Sequence, residues 1–254
     1  MQFLLSNDDG IQSDGLRALA RAAAPFGGLR VIAPDGQRSA TGHAITLSRP
    51  LRARPWPDAD KPFGTALDGL PADCVKLALS GVLGPIPDAV LTGVNLGPNA
   101  GAAVPYSGTC SAAAEAALDR VGAIAFSLDT FTDPRWDTAE AIAGKVLSAF
   151  AAGRLPLRPG TFWNVNIPNL PVADIKGFRA CTLSRSRFVE RYEQRADPWG
   201  DPYFWVVGDI VDDETAPDGD LQALREGFVS LSRLTVWNTD ADDGWRAAAE
   251  ALSP

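Results

Sequence analysis

The chain of 254 residues carries a net charge of −8 and a sequence pI near 4.7, with hydrophobic residues at 46% and charged residues at 21%. That length buries a sizeable core in one large α/β domain or two small ones, and the acidic balance argues against long nucleic acids, whose phosphate backbone is held by clustered Lys and Arg. A lone histidine, His43, excludes metal sites built from several histidines, and three scattered cysteines, Cys74, Cys110 and Cys181, fit neither a disulfide framework nor a thiolate zinc site.

The N-terminus lacks the charged, apolar and small-residue segments of a signal peptide, and no apolar run reaches the roughly 18 residues of a membrane span. The expectation is a soluble, cytoplasmic protein without a membrane partner, folded as one domain over residues 1–254, with the cysteines free.

A short apolar run over residues 3–5 predicts a buried strand, and it runs straight into Ser6-Asn7-Asp8-Asp9-Gly10. Neighbouring strand residues point to opposite faces, so the two carboxylates reach a common ion only if the chain has already turned, which Gly10 permits. Taken alone, the segment also reads as an ordinary polar turn. A helical pattern over residues 15–24 leads to a second apolar strand at 31–33 and a polar stretch at 34–42. The alternating, β-branched residues 44–54 and Thr65-Ala66-Leu67 predict shorter strands that extend the sheet, with the Pro-rich residues 55–62 as a surface connection.

Helix formers over residues 72–79, 110–118 and 138–152 alternate with apolar runs at 89–91 and 123–126 and a more mixed one at 162–167. Continuous rather than alternating apolar character means strands covered on both faces, and the β-then-α rhythm predicts a doubly wound parallel sheet. After Pro168 the rhythm stops. Residues 178–187, 188–195 and 203–207 are rich in aromatic and β-branched residues around the turn cluster Asp197-Pro198-Trp199-Gly200-Asp201-Pro202, which predicts protruding hairpins. Their arginines (Arg185, Arg187, Arg191, Arg195) and aromatics read either as a solvated arm or as a subunit contact, where aromatics and Arg are enriched.

Ligands of open parallel sheets bind beyond the carboxyl ends of the strands, and three such loops here are rich in oxygen donors and glycine: Asn7-Asp8-Asp9-Gly10, residues 35–43, and residues 92–101. Asp8 and Asp9 with Ser39 and Asn95 would give a hard divalent cation carboxylates, a hydroxyl and an amide oxygen. Tyr106-Ser107-Gly108-Thr109 opens an Ala-rich helix, where free N–H groups cap or hold an anion; following a Gly/Asn-rich loop, it reads as a phosphate cradle. No Walker-type G-x-x-x-x-G-K-[ST] occurs there. A thiolate phosphatase built on Cys110 is rejected, because residues 111–116 contain no arginine to clamp phosphate.

These motifs resemble the SurE (survival protein E) nucleotidases. The resemblance is carried by Asn7-Asp8-Asp9-Gly10, by Ala33-Pro34-Asp35 through Ser39, by Gly93-Val94-Asn95-Leu96-Gly97-Pro98-Asn99 and by Tyr106-Ser107-Gly108-Thr109, with support from Leu67-Asp68-Gly69-Leu70-Pro71-Ala72-Asp73-Cys74-Val75 and the late Gly227-Phe228-Val229-Ser230. It spans nearly the whole chain. The fold it implies is α/β, a Rossmann-like three-layer sandwich with a mostly parallel sheet and a β-hairpin arm, placed at residues 178–210 and exchanged between the subunits of a homodimer or homotetramer. The activity it implies is a divalent-metal phosphomonoesterase acting on nucleoside monophosphates at the 5′ position, the 3′ position remaining open.

By the same resemblance the metal, Mg²⁺ or Mn²⁺ at one per subunit, is held by Asp8, Asp9, Ser39 and Asn95, and phosphate by Asn99, Ser107, Gly108 and Thr109. Asp9 is the candidate to orient or deprotonate an attacking water; attack by Asp8 through an aspartyl-phosphate and a noncatalytic nucleotide or metal sensor are the alternatives. The chain departs from the pattern at Ala40, usually Gly, and at Ala103, where many members have Asp.

Overall fold

The computed structural model describes residues 1–57, 63–214 and 216–237. The strands at the centre are β1 (Gln2–Ser6), β2 (Gly28–Pro34), β3 (Ala53–Trp56), β4 (Gly64–Leu67), β5 (Ala89–Leu96), β6 (Gly122–Asp129) and β7 (Thr161–Pro168). Beyond them lie β8 (Phe178–Ala180) and β11 (Val229–Thr235). Among the described residues these form a nine-stranded sheet in the order β3-β4-β2-β1-β5-β6-β7-β11-β8. The run from β4 to β7 is parallel, while β3 and β11 pair antiparallel with their neighbours.

Helix α1 (Asp14–Ala23) and α4 (Trp136–Ala151) cover one face, α2 (Pro71–Leu79) and α3 (Gly108–Leu118) the other. The strand pleat assigns the side chains: in β1, Phe3 and Leu5 enter the cluster under α1 and α4, and Leu4 enters the cluster under α2 and α3. An all-apolar strand results, as the sequence pattern predicts for a strand buried on both faces. Ser13 caps α1 by accepting the Leu16 N–H at 3.3 Å, and Ser107 caps α3 by accepting the Cys110 N–H at 3.0 Å. The alanines of α3 favour helix and let it lie close to the sheet.

From β1 the chain moves outward through β2 and β4, then returns to β5 on the other side of β1. The strand order therefore reverses between β1 and β5, and the loops after these strands part to leave a crevice at the carboxyl edge.

Three expectations need correction. The strand read over residues 44–54 is confined to its last two residues and continues through Trp56. Upstream, the Thr46 N–H and hydroxyl both donate to Asp73, at 2.9 and 2.6 Å, and Leu47 is 85% exposed, so this stretch has no sheet face to cover. The connection read at 55–62 accordingly begins later, since Pro55 and Trp56 pair with β4; residues 58–62 lie outside the described residues. The arm read at 178–210 runs instead over β9 (Arg185–Ala196) and β10 (Pro202–Glu214), a separate two-stranded sheet, because Phe178–Ala180 pairs with β11. The turn between β9 and β10 is where the sequence placed it, with Asp197 accepting the N–H groups of Trp199 and Asp201 at 2.8 and 3.0 Å.

Candidate metal centre

Beyond β1 the chain turns at once. The Asn7 amide donates to the Gly10 carbonyl at 3.0 Å and to Ser13 Oγ at 2.7 Å, tying the turn to the start of α1, and Gly10 takes φ +96°. This turn brings both following carboxylates to the β5 side. Asp8 is buried: its Oδ1 accepts the Thr109 hydroxyl at 2.7 Å and its Oδ2 the Thr109 N–H at 3.1 Å. Asp9 reaches the end of β5, where its Oδ2 accepts the Leu96 N–H at 3.1 Å.

Burial raises the Asp8 carboxyl above the usual range, opposed by the Thr109 hydroxyl and by N–H groups that include Thr109 and Gly108. Asp9 is pushed up to about 6, first by burial and then by the Asp8 charge beside it. Two carboxylates side by side in a poorly solvated edge repel, and a cation between them removes that cost.

Asn95 stands one residue from the Asp9 contact. Its Nδ2 donates to the Gly97 carbonyl at 2.7 Å, which leaves the amide oxygen as the end available to a metal. Ser39 lies in an exposed turn and accepts the Gln37 amide at 2.9 Å. Its loop is nonetheless tied to the crevice: the Arg38 N–H donates to the Asp8 carbonyl at 2.7 Å and the Gly42 N–H to the Tyr106 carbonyl at 3.0 Å. Further along, His43 Nε2 meets Glu115 Oε2 at 2.8 Å. The structure thus brings Asp8, Asp9 and the Asn95 segment together and carries Ser39 to the next residue along from an Asp8 contact.

The donor set fits a hard divalent ion: carboxylate, hydroxyl and amide oxygens without thiol or imidazole. Among the described residues no three His, Cys, Asp or Glu side chains gather as a metal cluster, so an ion at the carboxylate pair would need further oxygen ligands of another kind, such as a hydroxyl or an amide oxygen.

The residues read as a phosphate cradle are more occupied than the sequence suggests. Ser107 N–H donates to the Val104 carbonyl at 3.2 Å, and the N–H of Thr109 serves Asp8. A Cβ at Gly108 would stand 2.7 Å from Asp8 Cβ, so glycine is required for the helix start to close on that carboxylate. The start of α3 therefore acts first as a holder of Asp8. Asn99 is buried, with its Nδ2 donating to Ser127 Oγ at 2.8 Å. Its N–H donates to Asn166 Oδ1 at 2.7 Å, and its carbonyl accepts the amides of Asn164 and Asn166 at 2.8 and 3.1 Å.

Sequence reasoning missed Ser127, Asn164 and Asn166. Their signal was present: Asn164 and Asn166 sit two apart in a strand otherwise apolar, hence on one face, and a buried amide must find a partner. It also missed Asp220, buried, which accepts the N–H groups of Gly101 and Ser184 at 2.9 Å each and so joins the loop after Asn99 to the base of the arm. Cys110 is buried and its thiol is pushed up to about 12 by burial, which agrees with rejecting it as a nucleophile.

Fold and site together define an α/β protein with an oxygen-lined carboxylate pair at the switch point of its sheet. The family model described as Survival protein SurE matches residues 3–190, and the chain belongs to the SurE family. It is similar to the 5′-nucleotidase SurE of Synechococcus sp. (strain JA-3-3Ab), at 42% identity over 92% of this chain and 91% of that protein. A 5′-nucleotidase SurE from Pelotomaculum thermopropionicum is 43% identical over 94% of this chain and 91% of its own. The crystal structure of the SurE protein from Aquifex aeolicus superposes with a TM-score of 0.82 at 32% identity, covering 99% of this chain and 98% of that one.

Proposed function

We propose that this chain is a divalent-metal phosphomonoesterase that hydrolyses nucleoside monophosphates to nucleoside and phosphate, a 5′-nucleotidase. The observation that carries this reading is the pair of adjacent carboxylates at the switch point, Asp8 held by the start of α3 and Asp9 pushed up to about 6 beside it. The names of the curated relatives agree with it.

In this reading Asp8, Asp9, Ser39 Oγ and the Asn95 amide oxygen hold one Mg²⁺ or Mn²⁺ per subunit. When bound, such an ion polarises a phosphate oxygen and lowers the pKa of water. The Ser107 hydroxyl and the second N–H of the Asn99 amide donate to phosphate oxygens, offsetting the charge that grows there. Gly108 and Thr109 act through Asp8, fixing its carboxylate. Asp9, held through one oxygen by Leu96, orients the attacking water and takes its proton. Both Asp8 oxygens already accept hydrogen bonds from Thr109, which suits a fixed ligand better than a nucleophile on phosphorus.

The arm supports a homodimer or homotetramer. A two-stranded ribbon is marginal in water by itself, and this one exposes Tyr192 at 65% and Trp205 at 57%, large apolar surfaces that a second copy would cover. Among the described residues no helix is long and apolar enough to cross a membrane; a cytoplasmic setting and the single domain over residues 1–254 complete the proposal.

The test is phosphate release from AMP with Mg²⁺ or Mn²⁺. Turnover that requires the ion and stops on chelation is expected; binding without turnover under either ion would instead make the chain a sensor. Quenched turnover of labelled AMP is expected to leave no hydroxylamine-sensitive phosphoprotein, which attack by Asp8 would produce.

A further inference from the structure

We propose that Phe131 is a specificity-determining residue, the platform on which the base of a nucleoside monophosphate stacks. The proposal rests on the phosphomonoesterase reading and adds the part of the substrate that reading leaves unplaced.

Beyond β6 the chain makes a tight, internally bonded turn. The Thr130 N–H donates to the Leu128 carbonyl at 2.8 Å, the Thr130 hydroxyl to the Thr132 carbonyl, and the Thr132 N–H back to Thr130 Oγ1 at 3.1 Å. This turn carries Phe131, a large apolar residue that remains 75% exposed. Its ring edge packs against Gly97: a Cβ there would lie 2.4 Å from Phe131 Cε1, so in this position the ring occupies the space a side chain would take. Gly97 is itself fixed, with its N–H on the Leu128 carbonyl at 3.0 Å and its carbonyl accepting the Asn95 amide at 2.7 Å.

The ring is therefore seated on the residue that orients Asn95. Gly97 stands two residues from Asn95 and two from Asn99, so the ring's seat is within about 7 Å of chain from each. Along the carboxyl edge the carboxylates lie at β1, Asn95 and Asn99 at and after β5, and Phe131 after β6. A nucleotide whose phosphate sits against the first two groups has its base to place further along the edge, and an aromatic ring held by its edge presents an open surface there. Stacking accepts any base, because every base has a π-face, and favours the larger purines.

The experiment compares kcat/KM for AMP, UMP and ribose 5-phosphate in the wild type, Phe131→Ala and Phe131→Trp. Ribose 5-phosphate carries the same ester without a base, so it reports the metal and phosphate groups alone. In Phe131→Ala, kcat/KM for AMP is expected to fall about tenfold, or about 1.4 kcal/mol, through KM. UMP is expected to fall less, ribose 5-phosphate to move less than twofold, and Phe131→Trp to restore AMP. An equal loss on all three substrates would show that Phe131 only props the Gly97 loop, and no change on any would place the base elsewhere; either result overturns the proposal. A wild type that hydrolyses none of the three would overturn the phosphomonoesterase reading itself, and the Phe131 assignment with it.

Discussion

On the α3 side of the crevice Asp8, Asn99 and Ser107 are buried and hydrogen-bonded into α3 and β6, whereas on the β2 side Ser39 is exposed and its hydroxyl rests on the Gln37 amide. Charge and desolvation are concentrated on the first side and conformational freedom on the second. A rigid anionic half can hold an unfavourable charge pair in wait for a cation, while an exposed loop residue adds a ligand without bearing the burial cost. Substitutions on the two sides should therefore differ in kind: those near Asp8 act on stability and turnover together, and those in the 39–42 loop act on one of them.

Asp9→Asn gives the largest separation. The raised Asp9 carboxyl means that the folded protein holds its proton more tightly than the unfolded chain between the ordinary carboxylate range and about pH 6. Stability of the metal-free protein accordingly falls as pH rises through that window, and the full cost is present above it. Metal-free Asp9→Asn should melt higher than the wild type at pH 8, by about 2–4 °C for each kcal/mol of repulsion relieved, and the difference should close at pH 4. Turnover should be lost. A metal-free Asp9→Asn that melts below the wild type at pH 8 would show that the pair is under no electrostatic cost.

Asn166→Ala should come next. It removes the acceptor of the Asn99 N–H, leaving that buried donor unpaired at about 1–3 kcal/mol, and one of the two donors to the Asn99 carbonyl, which keeps the Asn164 amide. Phosphate release is expected to fall by about tenfold or more with a lowered melting temperature; unchanged kinetics would show that the amides of β7 do not position Asn99. Ala40→Gly should have the smallest effect. Ala40 is held at φ +57°, a conformation that disfavours a side chain. The resemblance expects glycine there, so the substitution should stabilise the chain by about 1 kcal/mol or less, readable in a urea titration, with metal affinity little changed.

The sequence was most legible where burial is symmetric. Residues such as Leu4 and Leu91, in strands covered on both faces, left continuous apolar runs that mark the central strands and hence the edge where Asp8 and Asp9 follow β1 and Asn95 lies near the end of β5. It was least legible where polar partners override propensity. Thr46 looked like a strand residue but gives its donors to Asp73, and Asn164 and Asn166 looked incidental within a strand but hold Asn99 from below. Periodicity gives the direction of side chains, not the hydrogen bonds between distant segments. For the same reason the sequence did not show that Thr109, at the start of α3, reaches a carboxylate 101 positions earlier in the chain.

The most direct test of the Asp8–Asp9 pair as the anionic half of a metal site is a Mn²⁺ titration followed by electron paramagnetic resonance, on the wild type and on the Asp8→Asn/Asp9→Asn double variant. One bound ion per chain is expected in the wild type, weakening as pH falls below about 6 while Asp9 takes up its proton, and none in the double variant. Equal Mn²⁺ binding by the two proteins would contradict the account.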